Sequence, residues 1–470
     1  MDAEKELPAG WAWATLQDVA QWGSGGTPNT KEPAYYGGGI PWTVIGDLND
    51  SVLYRTGQTI TEDGLANSSA RWAPAGSVLV AMYGASIGKL AVTAKPVTTN
   101  QAIAHAIPYR EVMSRKYLFW YLYGQRAALI GAGKGGAQPN ISQAVLKSWP
   151  IVVPPLAEQH RIVEVLEEQL SRIDSGTATL RQAHKRLEGL RKRTLVSSVP
   201  DEVPESWRMT TVEGAGALEL GRARHPDWHH GPEMRPYLRV ANVFEDRIDT
   251  TDVMEMDFSG IWEKYRLEPG DVLLNEGQSP HLVGRPALYR GIPKGVAFTN
   301  SLLRFKAGGD VLPEWALLVF RRHLHAKRFM REVRITTNIA HLSAKRLKKV
   351  EFPVPPLDVQ KQIVQRCEEL LSGIAAMDQQ VGTGLRRADA LRSALLWRAF
   401  TGGLVPQDSG EESAALLLAR IAAEQAATPK PKRTRKATAK APAQRAAESA
   451  TAAPEPTPAP ALAVQQEFEL

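Results

Sequence analysis

The residue groupings most able to carry chemistry are glycine loops, a histidine cluster and two Pro-Pro pairs. Gly84-Ala-Ser-Ile-Gly88-Lys89-Leu90 has the glycines and lysine of a phosphate-cradling loop. It is one residue short, however, and Leu90 stands where a Ser/Thr would hold magnesium. GAGKGG at Gly131–Gly136 likewise lacks the following hydroxyl. His225, His229 and His230 lie close together, but with no second ligand cluster they do not make a metal set. Pro226-Asp227 followed by Glu233 and Arg235 is too loosely spaced to define a nuclease. Pro-Pro occurs twice, each time as VPPL. The Asn/Asp-Pro-Pro-aromatic tetrad of a methyltransferase is therefore missing, as is a glycine motif for its cofactor. The expectation is a chain with no catalytic residue, no metal and no cofactor.

The 470 residues are 43% hydrophobic and 23% charged, an ordinary globular balance with room for roughly three domains. No run of 18 or more uncharged apolar residues marks a membrane span. The opening MDAEKELPAG lacks the apolar centre of a signal peptide. The single cysteine, Cys367, excludes an internal disulfide. A cytoplasmic location is the simplest reading. Net charge is +7. The tail from Thr428 contributes seven Lys/Arg against four Asp/Glu. The rest is mildly basic, which permits nucleic-acid binding without requiring it.

The chain is written twice. LPAGWAWATL at Leu7–Leu16 returns as VPESWRMTTV at Val203–Val212, an offset of 196. VVPPLAEQHRIVEVLEEQL at Val152–Leu170 returns as PVPPLDVQKQIVQRCEELL at Pro353–Leu371, an offset of 201. Late matches are closer than early ones, so each unit is a divergent globular part followed by a well-kept helical part. Each Pro-Pro suits a helix start. In the first helix, Leu166, Ile173, Leu180 and Leu187 sit seven apart, with Val163 and Leu170 completing the stripe. In the second, Cys367, Ile374, Val381, Ala388 and Leu395 are equivalent, and Ile363, Leu370, Met377 and Leu391 are expected to form the other half of the seam. Such stripes suit a coiled-coil pair of helices about 40 residues long, roughly 60 Å. Both helices begin acidic and end basic, which favours an antiparallel pair. Gly176, Gly382 and Gly384 argue against unbroken helices.

The globular parts, rich in Gly, Pro, Thr and Val, read as short strands and loops. Helices are expected at Tyr117–Ile130 and Pro313–Val333. The segment from Thr428 to the end is low in complexity and reads as disordered.

PPLAEQHRIV at Pro154–Val163 and PPLDVQKQIV at Pro355–Val364 resemble the motif opening each conserved helix of type I restriction–modification specificity subunits. LLWRAFTGGLVPQDSGEESAALLLARI at Leu395–Ile421 is similar to that family's C-terminal signature. GGTPNT (Gly25–Thr30), GASIGKLAV (Gly84–Val92), TNQAI (Thr99–Ile103) and QPNIS (Gln138–Ser142) resemble segments of its target-recognition domains. In the second half NEGQSPHLVGR and TTNIAHLS replace two of these. The resemblance covers about residues 1–427.

It implies an α+β fold: two globular target-recognition domains of mixed α/β structure, separated by two long helices forming an antiparallel coiled coil. The expected divisions are a first recognition domain at 1–150, a helical spacer at 151–200, a second recognition domain at 201–350, a second spacer with C-terminal segment at 351–427, and a disordered basic tail at 428–470. It also implies a non-catalytic subunit that reads a bipartite asymmetric site in double-stranded DNA. Its partners would be two methyltransferase subunits and restriction/translocase subunits, with no membrane. The alternative is a coiled-coil adaptor that binds protein. Arg and Lys bond guanine or phosphate, and Asn and Gln bond adenine. The candidate contacts on that chemistry are Thr27, Lys31, Ser86, Lys89, Lys134, Gln138 and Asn140 in the first half, and Arg222, Arg224, Arg239, Asn275, Gln278, Arg285 and Asn338 in the second. Trp11, Trp42, Trp72 and Trp207 are expected in the core or at interfaces.

Overall fold

Each half of the chain builds the same antiparallel sheet. In the computed structural model, which describes residues 6–134, 139–200, 202–336 and 339–427, the first sheet contains β1 (Ala20–Ser24), β2 (Val78–Ala81), β3 (Leu90–Thr93) and β4 (Ile103–Pro108). The second contains β5 (Gly216–Leu220), β6 (Val272–Asn275), β7 (Pro286–Leu288) and β8 (Leu302–Ala307). The spatial orders are β1-β4-β2-β3 and β5-β8-β6-β7, the same topology twice, with Ser51–Leu53 added on the outer edge of the first. Each half also pairs the strand after its opening β-loop in parallel: Tyr36–Thr43 with Val97–Thr99, and Met234–Leu238 with Ala297–Phe298. VLVA in β2 and VLLN in β6 are buried on both faces, as continuous apolar runs require.

Two head helices pack against two long rods: α1 (Arg115–Gly124) and α3 (Pro313–His325) belong to the heads, and α2 (Leu156–Ser197) and α4 (Leu357–Ala399) are the rods. The helix expected over Tyr117–Ile130 divides at Gln125 into α1 and Arg126–Gly131. That expected over Pro313–Val333 stops at His325, because Lys327 takes a left-handed backbone, φ 56°, before a short 3-10 turn. The described residues up to Leu418 fold as one compact unit, and the last described segment is a helix, Ala414–Ala427.

The long helices α2 and α4 run 42 and 43 residues without a break, about 63 Å each at 1.5 Å per residue. Both begin directly after a proline in extended conformation, Pro155 and Pro356. They pack on each other antiparallel: Asp174 pairs with Arg392, Leu180 faces Gly384, and His184 meets Asp378. The glycines do not interrupt the helices. At Gly384 the missing side chain is used for packing, since a Cβ there would stand 3.0 Å from Leu180.

One half of the expected seam is corrected. Leu370, Met377 and Leu391 are 51%, 57% and 59% exposed. The positions facing α2 are one residue on, with Leu371, Asp378, Leu385 and Arg392 all partly buried. These are the residues 201 after Leu170, Thr177, His184 and Arg191, so the repeat offset, rather than hydrophobicity, identifies them. The charge argument for antiparallel pairing also needs refining. The acidic start of α2 finds Lys116 of the first head, at Glu167, and its basic end finds Glu245 of the second, at Arg191.

Candidate nucleic-acid interface

Strand pairing gathers the candidate loops at one end of each sheet. In the first half, Ser24 faces Ala104, Ala81 faces Ile103 and Val80 faces Leu90. The loops after β1, before β4 and between β2 and β3 therefore share an end. Thr27 donates its hydroxyl to Gln101, joining the first two. Gly25 is required there because a Cβ would fall on the Thr99 carbonyl. Ser86 closes a 3-10 turn and Lys89 follows, exposed. A strand rather than a helix comes next, which removes the phosphate-loop geometry. Lys134 and Asn140 exchange both backbone hydrogen bonds at 2.9 Å. Asn140 also bridges to Tyr83, bringing that hairpin beside the β2–β3 loop. Lys31 is exposed, its amide held by Asn29.

The second half repeats the frame with different side chains. Leu220 faces Leu303, Asn275 faces Leu302 and Leu274 faces Pro286. Arg222 is buried: its guanidinium lies 4.1 Å from the Trp228 ring and 5.1 Å from Phe258, and it donates to the Asp257 carbonyl. Burial is the main cause that lowers its pKa. Asn275 is fully buried beside the Val243 carbonyl. Arg285 lies on the Phe244 ring at 4.6 Å and donates to Val243 O at 2.6 Å, with its pKa again lowered chiefly by burial. Arg222 and Arg285 are thus turned inward onto aromatic rings and backbone carbonyls, and Asn275 is buried beside the Val243 carbonyl, so these three support the loops of this end of the sheet. Arg239 pairs with Asp252. Gln278 is half-buried and caps the Ser279 amide. Arg224 is exposed. Gln138 and Asn338 lie outside the described residues, as does the tail from Thr428.

Sequence reasoning missed Arg334. It pairs with His341 across a hairpin as Lys134 pairs with Asn140, and it is exposed. The offset of 200 from Lys134 is the signal that finds it. Of the tryptophans, Trp11 and Trp42 are buried and bonded to Glu158 and the Gly26 carbonyl, whereas Trp72 is 46% exposed.

Among the described residues no group of three or more His, Cys, Asp or Glu gathers as a metal site. His225 sits 3.1 Å from Asp227.

A family profile described as the type I restriction modification DNA specificity domain matches residues 8–184 and 250–380, parts of both halves. The chain belongs to that family. Among curated type I specificity subunits, it is 26% identical over 454 residues to the StySPI subunit of Salmonella potsdam, covering 90% of this chain and 97% of that one. It is 28% identical over 329 residues to the EcoKI subunit of Escherichia coli, covering 65% and 70%. Two solved structures share the fold. One chain, from a study of complex assembly and conformational transition of the type I R-M system, superposes with a TM-score of 0.71 at 20% identity, covering 85% of this chain and 100% of that one. The HsdS subunit of Thermoanaerobacter tengcongensis gives 0.55 at 19%, covering 86% and 99%. In this type I specificity chain the architecture is α+β, with two mixed α/β heads on an antiparallel pair of long helices.

Proposed function

We propose that the chain is the non-catalytic specificity subunit of a type I restriction–modification complex, recognising a bipartite asymmetric DNA site and directing methyltransferase and restriction subunits to it. One observation carries this reading. Two heads of one topology offer the same end of the same sheet with unlike side chains, and the rods between them are antiparallel and continuous. Two unlike readers on a stiff spacer suit two unlike half-sites at set separation.

The functional divisions follow the chain: recognition at 1–150 and 201–350, spacers at 151–200 and 351–427, and a basic tail at 428–470. The exposed Lys31, Lys89, Lys134, Asn140, Arg224 and Arg334 are the first choice of DNA contacts, with Thr27, Ser86, Arg239 and Gln278 behind them. Gln138 and Asn338 stay candidates on their sequence alone. Among the described residues no helix is long and apolar enough to cross a membrane. The cytoplasm is the proposed place of action.

The test is methylation. The purified chain alone should methylate nothing, and adding its cognate modification subunit should produce methylation at one bipartite motif. Methylome sequencing with and without the gene should show that motif vanish. Methylation by the isolated chain would overturn the non-enzyme reading.

A further inference from the structure

The β2–β3 loop of the first head carries one exposed cation, Lys89, whose backbone is held on every side. Its amide donates to the Ser86 carbonyl and its carbonyl accepts from the Ala81 amide, both at 2.9 Å. The flanking residues are held as well. Arg126 Nε donates to the Gly88 carbonyl at 2.9 Å, and the Leu90 amide donates to Asp50 Oδ1 at 3.0 Å. The Asp50 amide returns a bond to the Leu90 carbonyl at 2.8 Å. Arg126 and Asp50 then clasp each other by two parallel bonds, one of them Nη1 to Oδ2 at 3.0 Å.

Two backbone features accompany this clasp. Asp50 holds a left-handed backbone, φ 55°, which few side chains tolerate. Gly88, φ 78°, leaves the space in which Arg126 lies, since a Cβ there would meet its Cγ at 3.1 Å. The second head diverges at this point. Asp246 repeats the left-handed backbone, φ 50°, and the amide bond to Pro286, but its carboxylate pairs with Arg290. The cation in the place of Lys89 is Arg285, which is turned inward.

The clasp also reaches the rod. Arg126 lies 4.8 Å over the Tyr123 ring, Tyr123 and Arg392 of α4 line one groove, and Arg392 pairs with Asp174 of α2.

We propose that Asp50 and Arg126 are positioning residues for DNA recognition, holding Lys89 at a set place relative to both rods so that its ammonium meets an acceptor oxygen of the duplex. This rests on the DNA-reading function above. A side chain whose backbone is fixed beforehand loses less entropy on contact, and that difference appears as affinity.

The test uses the full chain assembled with its modification subunit, selected against a random-sequence duplex pool and then titrated on the enriched site. K89A and R126Q should each weaken binding about tenfold. The double variant should be no weaker than K89A alone, and preferences in the second half-site should not change. D50N, which keeps an oxygen for the Leu90 amide and tolerates a left-handed backbone, should weaken binding in the same direction. It guards against a folding defect in R126Q. Flattened preference at one base of the first half-site marks a base contact. A uniform loss with a shallower salt dependence marks a phosphate, and both support the proposal. Additive losses in the double variant, or K89A binding like the unaltered chain, overturn it while DNA recognition itself stands. An unaltered assembly that enriches no site overturns the DNA-reading function and the clasp with it.

Discussion

Gln159 and Gln360, 201 residues apart and both fully buried, make the same three hydrogen bonds. Gln159 donates to the carbonyls of Val112 at 2.7 Å and Pro154 at 3.0 Å, and accepts from the Ser114 amide at 2.8 Å. Gln360 donates to Asp310 and Pro355 and accepts from Leu312, each at 2.8 Å. Each glutamine fastens the loop before its head's main helix, α1 or α3, to the first turn of its rod.

Removing either amide should therefore cost the same. Q159A and Q360A each leave two carbonyls and one amide without a partner away from water, a loss of about 2–4 kcal/mol. Urea denaturation of each variant measures this. A loss below about 1 kcal/mol would mean that water or a shifted turn replaces the bonds.

The seam between the rods contains a titrating pair. His184 Nδ1 lies 2.5 Å from Asp378 Oδ1, and Glu188 stands 3.5 Å from the other ring nitrogen. The hydrogen bond to Asp378, foremost, raises the imidazole above its usual 6.5, aided by the charges of Asp378 and Glu188 and opposed by slight desolvation. A raised value means that the stabilisation is fully present below 6.5 and is lost as pH climbs through the raised value. The melting-temperature gap between the unaltered chain and D378N should shrink as pH rises above 6.5 and through the raised value of His184. A gap that stays constant as pH rises would show that the pair does not titrate as a unit.

Glu245 joins the second head to the first rod helix. Burial works to raise its pKa, but the hydrogen bond from His325 and the charges of Arg321, His325 and Arg191 outweigh it and bring the carboxyl from 4.5 to about 2. A depressed carboxyl contributes stability above 4.5, and that contribution is lost as pH falls toward 2. E245Q should destabilise the fold by roughly 3 kcal/mol at neutral pH, since it leaves the buried Arg321 and the partly buried His325 without their anion. The difference from the unaltered chain should fade in acid. Equal stabilities at neutral pH in a urea titration would contradict this.

The rod should act on spacing alone. Inserting one turn in α2 adds about 6 Å, the rise of roughly two base pairs. The gap in the recognised motif should lengthen by one or two base pairs, with both half-sites unchanged, as read by methylome sequencing. An altered half-site with an unaltered gap would argue against a ruler.

How far the sequence speaks for itself differs from element to element. The stripe Leu166, Ile173, Leu180 and Leu187 was legible because a helix repeats its face every few residues. The second stripe was not legible from hydrophobicity, because Leu370 and Leu371 are equally apolar neighbours; the repeat offset of 201 from Leu170 points to Leu371, and its partial burial agrees. Lys89 and Lys134 were legible as loop cations. The inward turn of Arg222 was hidden: Trp228 lies only six residues on, but the Asp257 carbonyl and the Phe258 ring that complete its setting lie 35 and 36 residues away.

By itself, the sequence determined the duplication, the two proline-started rods with their approximate lengths, and the loops rich in glycine and polar groups. These depend on propensity and periodicity, which act over a few residues. The tertiary structure alone decided which loops meet at one end of a sheet, which cations face outward, and which side chains of one rod meet those of the other. Those outcomes rest on pairings between groups far apart in the chain, such as Arg126 with Asp50 and His184 with Asp378, and short-range preference carries no information about them.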